Sequence, residues 1–295
     1  MKKALIALVV LLSGNVQAQA KSFDILNPEV SQGGVVIVKV YPQFQTKAQG
    51  ASVCVAVKWE GLYQPGKEYG LNNQGEVFVG VDINTEPNEY IVFLVECGRG
   101  NRLDWNYDVI KVEDVNFPIR IRTPFTPTNK WSKERDNIKK AFEDGSYWEN
   151  YTDGEFVQPL DRVDLDGTRA VGDVFSYFGE NHTGADLITL DTRTGNHKRP
   201  VKAINSGKIV LMAKNFSTDG NMVILDHGSG IFSVYMHLSS FKVKKVGALV
   251  KKGDVVGISG RSGRVSGPHL HFAVKVRDVY VDPLEFIKTM NQYLK

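Results

Sequence analysis

Two histidines near the C-terminus, His269 and His271, are spaced so that a single strand would carry both on the same face. If residues 270–276 form a strand, the apolar side chains at alternate positions point one way and the imidazoles point the other. Neutral imidazole is a common zinc ligand and titrates near neutral pH. The pair therefore indicates two metal ligands, or one ligand beside one acid/base group. It is equally compatible with an ordinary strand surface.

Two other segments offer related chemistry. His182 and Asp186 are four residues apart with a glycine between them. This spacing predicts a turn into a strand, and its nitrogen and oxygen donors suit zinc. Across residues 231–238, alternation predicts that Tyr235 and His237 share one face of a strand whose other face is apolar. Three polar clusters of this kind in one β domain could line a single groove.

The two remaining histidines have different surroundings. His197 lies in a short basic segment that reads as an exposed loop, and His227 lies at a glycine-rich hairpin turn. We interpret both as structural residues.

Length and net charge limit the number of domains and the kinds of binding partner to expect. A chain of 295 residues exceeds the usual size of one domain, so we expect two. The 36 basic and 33 acidic residues leave a formal charge of only +3. This balance gives no indication of binding to nucleic acid or to an anionic membrane surface.

The N-terminus has the features of a secretory signal peptide, which we assign to residues 1–20. Two lysines precede the apolar run 4–12, and Ala18 and Ala20 offer cleavage sites of the Ala-X-Ala kind. A retained anchor is the alternative, but the run is short for a bilayer and no other segment approaches transmembrane length. We therefore expect a periplasmic or secreted protein without a transmembrane segment in its mature form.

Cys54 and Cys97 are the only cysteines. In an oxidising compartment we favour a bridge between them, which would stabilise the fold by about 3–4 kcal/mol. Sequence does not show whether their side chains face each other, so free thiols remain an alternative.

The domain plan is mainly β. Residues 21–122 contain at least five strand-like runs separated by turn residues, which predicts an immunoglobulin-like β-sandwich. This part has no histidine and no cluster of ligands, so we interpret it as a packing, spacing or binding module.

Residues 123–155 predict a linker with one amphipathic helix. Its candidate cap is Asn129 and its aromatic face is Trp131, Arg135, Ile138 and Phe142. Residues 156–295 predict an antiparallel β domain closed by a helix over 283–294.

The chain from about residue 156 to 286 resembles the lysostaphin and LytM type of zinc metallopeptidase, which cleaves peptide bonds in bacterial peptidoglycan. The resemblance rests on His-Thr-Gly-Ala-Asp at 182–186, Tyr-Met-His-Leu at 235–238 and Gly-Pro-His-Leu-His-Phe at 267–272. These motifs follow the family's order, and the segments between them match as well. The preceding β domain resembles, more loosely, the N-terminal module of some secreted members.

The resemblance implies that His182, Asp186 and His271 are zinc ligands and that His237 and His269 are unliganded catalytic histidines. Three protein ligands leave a position for water, whose pKa zinc lowers to about 7. The two free histidines would then orient or deprotonate the water, stabilise the oxyanion and protonate the leaving amine.

The resemblance also suggests Tyr235 and Asn181 as substrate contacts. Two departures affect substrate preference. The segment 178–181 runs directly into His182 without the Arg-containing loop of many relatives, and the segment 191–199 is longer and more basic than usual.

The preferred substrate is the D-Ala to diaminopimelate cross-link in peptidoglycan peptide stems, and a glycine bridge stays open. One alternative is a non-enzymatic cell-wall regulator that activates an amidase, which retention of all five site residues disfavours. Another is a carrier module, because residues 246–257 are similar to lipoyl-type barrels. Two further hypotheses concern regulation: a regulator bound to the N-terminal domain, and a linker helix that covers the groove until it is displaced.

Overall fold

The computed structural model describes residues 20–45, 52–58, 66–103, 106–115, 119–120, 126–162, 174–175 and 180–293. The predicted signal peptide lies outside these residues except for Ala20. Among the helices in the described ranges, none combines the length and the apolar character that a bilayer crossing requires.

The N-terminal part is a β-sandwich. A three-stranded sheet, in the order β1-β3-β6, faces a five-stranded sheet, in the order β2-β8-β7-β4-β5. The strands are β1 (Phe23–Ile25), β2 (Glu29–Ser31), β3 (Val35–Val40), β4 (Val53–Lys58), β5 (Lys67–Gly70), β6 (Glu76–Gly80), β7 (Glu89–Glu96) and β8 (Asp108–Glu113). Valines from both sheets, such as Val36, Val55 and Val77, fill the space between them. The predicted sandwich is therefore confirmed, and its immunoglobulin-like subtype stays a prediction.

The two cysteines are joined. Strands β4 and β7 are antiparallel neighbours, with Cys54 paired to Val95. Cys97 follows two residues later, and the two cysteine Cα atoms lie 5.1 Å apart in a disulfide. The favoured bridge is thus confirmed, and it closes a loop spanning 43 residues.

The C-terminal part is built on an antiparallel sheet in the order β12-β20-β16-β15-β14-β18, with β21 also paired to β20. A smaller sheet, β13-β19-β17, lies beside it, and three short strands form the sheet β11-β10-β9. The strands are β9 (Ile119–Arg120), β10 (Val174–Phe175), β11 (Glu180–Asn181), β12 (Ala185–Ile188), β13 (Pro200–Lys202), β14 (Gly207–Phe216), β15 (Gly220–Asp226), β16 (Ile231–Leu238), β17 (Ser240–Phe241), β18 (Leu249–Val250), β19 (Val255–Ile258), β20 (His269–Val276) and β21 (Val279–Val281).

Two helices complete the fold, α1 (Asn129–Glu143) in the linker and α2 (Pro283–Tyr293) near the C-terminus. The capping prediction was one residue late. Thr128 is the N-cap, and its hydroxyl accepts a hydrogen bond from the Trp131 N–H. Asn129 is already the first helical residue, so the capping side chain comes from the residue before it, Thr128.

The large sheet of the C-terminal part is covered on both faces. Leu270, Phe272 and Val274 point into a core shared with α2. The opposite face packs against Ile138 and Phe142 of α1. The alternation predicted for β20 is therefore confirmed, and α1 lies on the same face of the sheet as the two histidines of that strand.

The two parts of the chain share a core. In β3, Val36 and Val38 face the sandwich, whereas Val35 and Ile37 pack with the C-terminal core. Arg277 reinforces the contact, because its guanidinium lies between the Tyr69 and Tyr147 rings and donates to backbone carbonyls of the sandwich. The N-terminal domain is thus packed firmly on the domain that carries the site.

Candidate metal and catalytic centre

Strand register brings the predicted ligands together. In the β12–β20 pair, Asp186 lies directly opposite His271 and Ile188 lies opposite His269. In the β16–β20 pair, Met236 lies opposite His271. Directly opposed residues share a face with Cβ atoms about 4.5–5.5 Å apart, so Asp186 and His271 project into the same space. His182 joins them from the segment that leads into β12.

Three donor atoms converge in that space. His182 Nε2 lies 3.1 Å from Asp186 Oδ1 and 3.1 Å from His271 Nδ1, and these last two atoms lie 2.9 Å apart. The three contacts cannot all be hydrogen bonds at once, because a ring nitrogen that accepts from the other imidazole has no hydrogen to donate to the carboxylate. Tetrahedral zinc with bonds of about 2.0–2.1 Å separates its ligand atoms by about 3.3 Å, close to the spacings found. The three residues therefore fit a zinc ion.

The cluster is buried and holds the negative charge of one carboxylate. His182, Asp186 and His271 are 3%, 7% and 6% exposed. Burial alone would raise the pKa of Asp186, but hydrogen bonds from His182 and His271 outweigh it and hold the pKa well below its usual range. Burial also lowers the pKa of His271. Metal binding requires a deprotonated carboxyl group and an uncharged imidazole, and these are the forms that the two shifts favour for Asp186 and His271.

His237 reaches this face through a β-bulge. Asn221 pairs with Leu238 and Val223 with Tyr235, so Met236 and His237 together oppose the single residue Met222. His237 itself has φ of 62°, a left-handed conformation that costs a non-glycine residue about 1–3 kcal/mol. Its ring lies 6.2 Å from that of His271 and 4.8 Å from that of His269.

The hydrogen bonds of the two other histidines define their tautomers. His237 Nδ1 lies 2.9 Å from the Ser262 carbonyl, and His269 Nδ1 lies 2.9 Å from the Gly267 carbonyl. A carbonyl only accepts, so each Nδ1 donates, and in the neutral form of either ring Nε2 carries the lone pair. Burial, with the charges of His271 and His269, lowers the pKa of His237 to about 3. His237 is therefore neutral at physiological pH.

This constellation agrees with comparison to known proteins. Residues 180–283 match the sequence profile of peptidase family M23. These residues form an M23 peptidase domain. Peptidoglycan DD-endopeptidase ShyB of Vibrio cholerae is 40% identical over 104 residues, which are 35% of this chain and 22% of ShyB. Lysostaphin of Staphylococcus simulans is 39% identical over 116 residues, which are 38% of this chain and 22% of lysostaphin.

The chain thus spans about a fifth of the length of these two relatives. A crystal structure described as an M23 peptidase from Pseudomonas aeruginosa matches a larger part. It covers 87% of this chain and 94% of its own, with a TM-score of 0.56 and 23% identity. At that identity the likeness concerns the fold alone, and it extends well beyond the M23 domain.

Tyr235 is not placed to contact a substrate. Its side chain is fully buried in the core of the M23 domain, where its hydroxyl accepts a 3.0 Å hydrogen bond from the Ile204 N–H. The same hydroxyl lies 3.0 Å from Ser233 Oγ. The predicted common face of Tyr235 and His237 is therefore wrong, because the bulge at His237 interrupts the alternation. For Asn181, only the backbone position in β11 is described, and its role in substrate contact stays a prediction.

The sequence did not reveal the contacts of two further residues, His227 and Ser262. His227 is fully buried, with Nδ1 donating to the Ser206 carbonyl and Nε2 2.8 Å from Ser233 Oγ. His227 is thus a structural residue, as predicted, but it belongs to a buried chain of hydrogen-bonded side chains with Ser233 and Tyr235 and does not lie at an exposed turn. Ser262 acts through its backbone carbonyl, which no sequence pattern reveals.

Proposed function

We propose that the protein is a zinc-dependent endopeptidase that hydrolyses peptide cross-links in bacterial peptidoglycan. The observation that carries the proposal is the convergence of His182 Nε2, Asp186 Oδ1 and His271 Nδ1 beside two further histidines. The names of the relatives, a peptidoglycan DD-endopeptidase and lysostaphin, support the substrate class.

His182, Asp186 and His271 would hold the zinc ion. When bound, zinc supplies Lewis-acid polarisation and lowers the pKa of a coordinated water to about 7. Its ligands are preorganised, because Asp186 and His271 are opposed on paired strands inside a buried sheet. The site therefore needs little rearrangement to bind the metal.

His237 and His269 would move the protons. Each has its Nδ1–H held by a backbone carbonyl, so Nε2 is the atom of each ring that would exchange a proton. His269 Nε2 also lies 3.5 Å from Asp186 Oδ1, next to the ligand cluster. One imidazole would take the proton of the attacking water at Nε2, and the imidazolium so formed would stabilise the oxyanion and deliver that proton to the leaving amine. The other imidazole would orient the water by accepting a hydrogen bond from it at Nε2. A positioned acid/base group contributes typically about 10²–10⁴ in rate.

Within this function, we favour the D-Ala to diaminopimelate bond. Two relatives, ShyA and ShyB, are named DD-endopeptidases. Lysostaphin and a glycyl-glycine endopeptidase, ALE-1, are also similar to the chain, so cleavage of a glycine bridge is the second candidate. The disulfide between Cys54 and Cys97 supports a location outside the cytoplasm, as the signal peptide predicts.

Metal analysis combined with muropeptide digestion tests the proposal. We expect about one zinc per protein and release of cleaved stems from cross-linked dimers, with chelation abolishing cleavage and zinc restoring it. His182→Ala should lose both metal and cleavage, whereas His269→Ala should keep the metal and lose cleavage. A metal-free protein that instead stimulates an amidase would support the regulatory alternative, and full activity of His269→Ala would contradict its catalytic role.

A further inference from the structure

Helix α1 lies outside residues 180–283, which match the M23 family, but its side chains contact a loop of the M23 domain. The loop is the hairpin tip that joins β14 to β15, residues 215–221. Lys130 Nζ donates to the Asn215 carbonyl at 3.1 Å, and Glu134 Oε2 accepts from the Ser217 N–H at 2.8 Å.

Arg135 makes the third contact between α1 and the hairpin tip. Its guanidinium forms an ion pair with the carboxylate of Asp219, and it lies over the Trp131 ring at 5.6 Å from the centroid. Glu134 is only 4% exposed and Asp219 is 7% exposed. Charges held this far from water keep their place only when paired or hydrogen-bonded, so removing one partner leaves the other poorly solvated.

The other side of the hairpin tip rests on the loop before β20. The Arg264 N–H donates to the Thr218 carbonyl at 2.9 Å, and the Asn221 N–H donates to Ser262 Oγ at 2.9 Å. The two backbones touch at Gly263, where a Cβ atom would collide with Gly220. The hairpin tip is therefore in contact with α1 on one side and with the loop before β20 on the other.

Both the tip and the loop hold His237. Its N–H donates to the Asp219 carbonyl at 3.0 Å, and its Nδ1 donates to the Ser262 carbonyl at 2.9 Å. Because His237 has φ of 62°, its backbone adopts a conformation that surrounding contacts must impose. The first contact fixes the bulge, and the second fixes the orientation of the ring.

We propose that Glu134 and Arg135 are positioning residues, through which α1 clamps the hairpin tip and so holds His237 in its catalytic orientation. The competent catalytic unit then includes α1, and not only the M23 domain. This inference rests on the proposed function for its effect on rate. Its structural part, the hold on His237, is independent of that function.

The test uses the full-length protein carrying Arg135→Ala, with Lys139→Ala as a matched control on the same helix. The Lys139 side chain is 76% exposed, and its ion pair with Glu143 spans 3.7 Å. Amide hydrogen exchange at His237 and at Val234, zinc content, and kcat and KM on a cross-linked muropeptide are measured for each variant.

For Arg135→Ala we expect at least about tenfold faster exchange at His237, with exchange at Val234 unchanged. We expect kcat to fall by about tenfold, a part of the usual acid/base contribution, with KM and zinc content retained. Arg135→Lys should recover part of both effects, and Lys139→Ala should match the parent protein.

Unchanged exchange at His237 in Arg135→Ala would overturn the proposal. A rise in kcat would also overturn it, and would favour the hypothesis that α1 covers the groove. If Arg135→Ala does not fold, Asp219→Asn weakens the same ion pair while keeping the backbone carbonyl, and the same exchange criterion applies. If the parent protein cleaves no muropeptide, the proposed function fails, whereas faster exchange at His237 would still establish the hold.

Discussion

Asp186 and His271 occupy directly opposed positions on strands β12 and β20, with Asp186 Oδ1 2.9 Å from His271 Nδ1. The same carboxylate oxygen lies 3.1 Å from His182 Nε2 and 3.5 Å from His269 Nε2. One buried oxygen thus contacts two candidate ligands and one candidate acid/base group. Its negative charge is the only one among the four residues, so it should dominate the affinity for a cation.

Asp186→Asn tests this relationship, because it keeps the shape of the side chain and removes its charge. We expect zinc affinity to fall by at least about 10–100-fold, the loss typical even of residues that only support a ligand. Competition with a chelator of known affinity measures the change. Asp191→Asn is the control, since Asp191 is an exposed carboxylate that accepts N–H bonds in a neighbouring turn. Equal affinities for both variants would contradict the assignment of Asp186 as a ligand.

Tyr235→Phe distinguishes a core residue from a substrate contact. The change leaves the buried Ile204 N–H without its acceptor, which should lower the free energy of unfolding by about 1–3 kcal/mol. The value of KM should stay the same, because the hydroxyl lies on the core face of the sheet. Urea unfolding and steady-state kinetics provide the two readouts. A raised KM with unchanged stability would restore Tyr235 as a substrate contact.

His227 should make stability depend on pH. Burial lowers its pKa to about 4, below the unfolded value of 6.5. Between these values the unfolded chain binds a proton that the folded protein does not, so the free energy of unfolding falls as pH falls from 6.5 toward 4. The contribution of this one group between pH 7 and pH 5 is about 2 kcal/mol.

Urea unfolding of the metal-free protein at the two pH values measures that dependence. His227→Gln should show a decrease smaller by about 2 kcal/mol than the parent, whereas His197→Gln should retain the full decrease. If His227→Gln had the same pH dependence as the parent, His227 would not contribute the predicted part of the change in the free energy of unfolding.

The disulfide should stabilise the N-terminal sandwich. Closing a loop over a separation of 43 residues restricts the unfolded chain, which corresponds to about 4 kcal/mol in the loop-entropy model. Double replacement Cys54→Ala with Cys97→Ala should lower the free energy of unfolding by a comparable amount. Denaturant unfolding checks this value. Zinc content should be retained, because the bridge joins strands of the N-terminal sandwich and the ligand cluster lies in the C-terminal part.

Local patterns in the sequence predicted which side chains share a face of a strand or a helix. Alternation in residues 270–276 predicted that His269 and His271 share a face, because side-chain direction along a strand has a period of two residues. The apolar stripe containing Ile138 and Phe142 likewise predicted α1. Resemblance, rather than spacing, assigned different roles to His269 and His271.

Tertiary structure decided strand register and the burial of side chains by distant segments, which local periodicity does not predict. The bulge that separates Tyr235 from His237 arises from the register of β15 against β16, a relationship between two strands. The burial of Glu134 depends on a hairpin tip 83 residues away. The second buried face of β3 likewise depends on a partner distant in the chain. Sequence determined which faces could be apolar and which residues could bind a metal, and only long-range packing decided what each face meets.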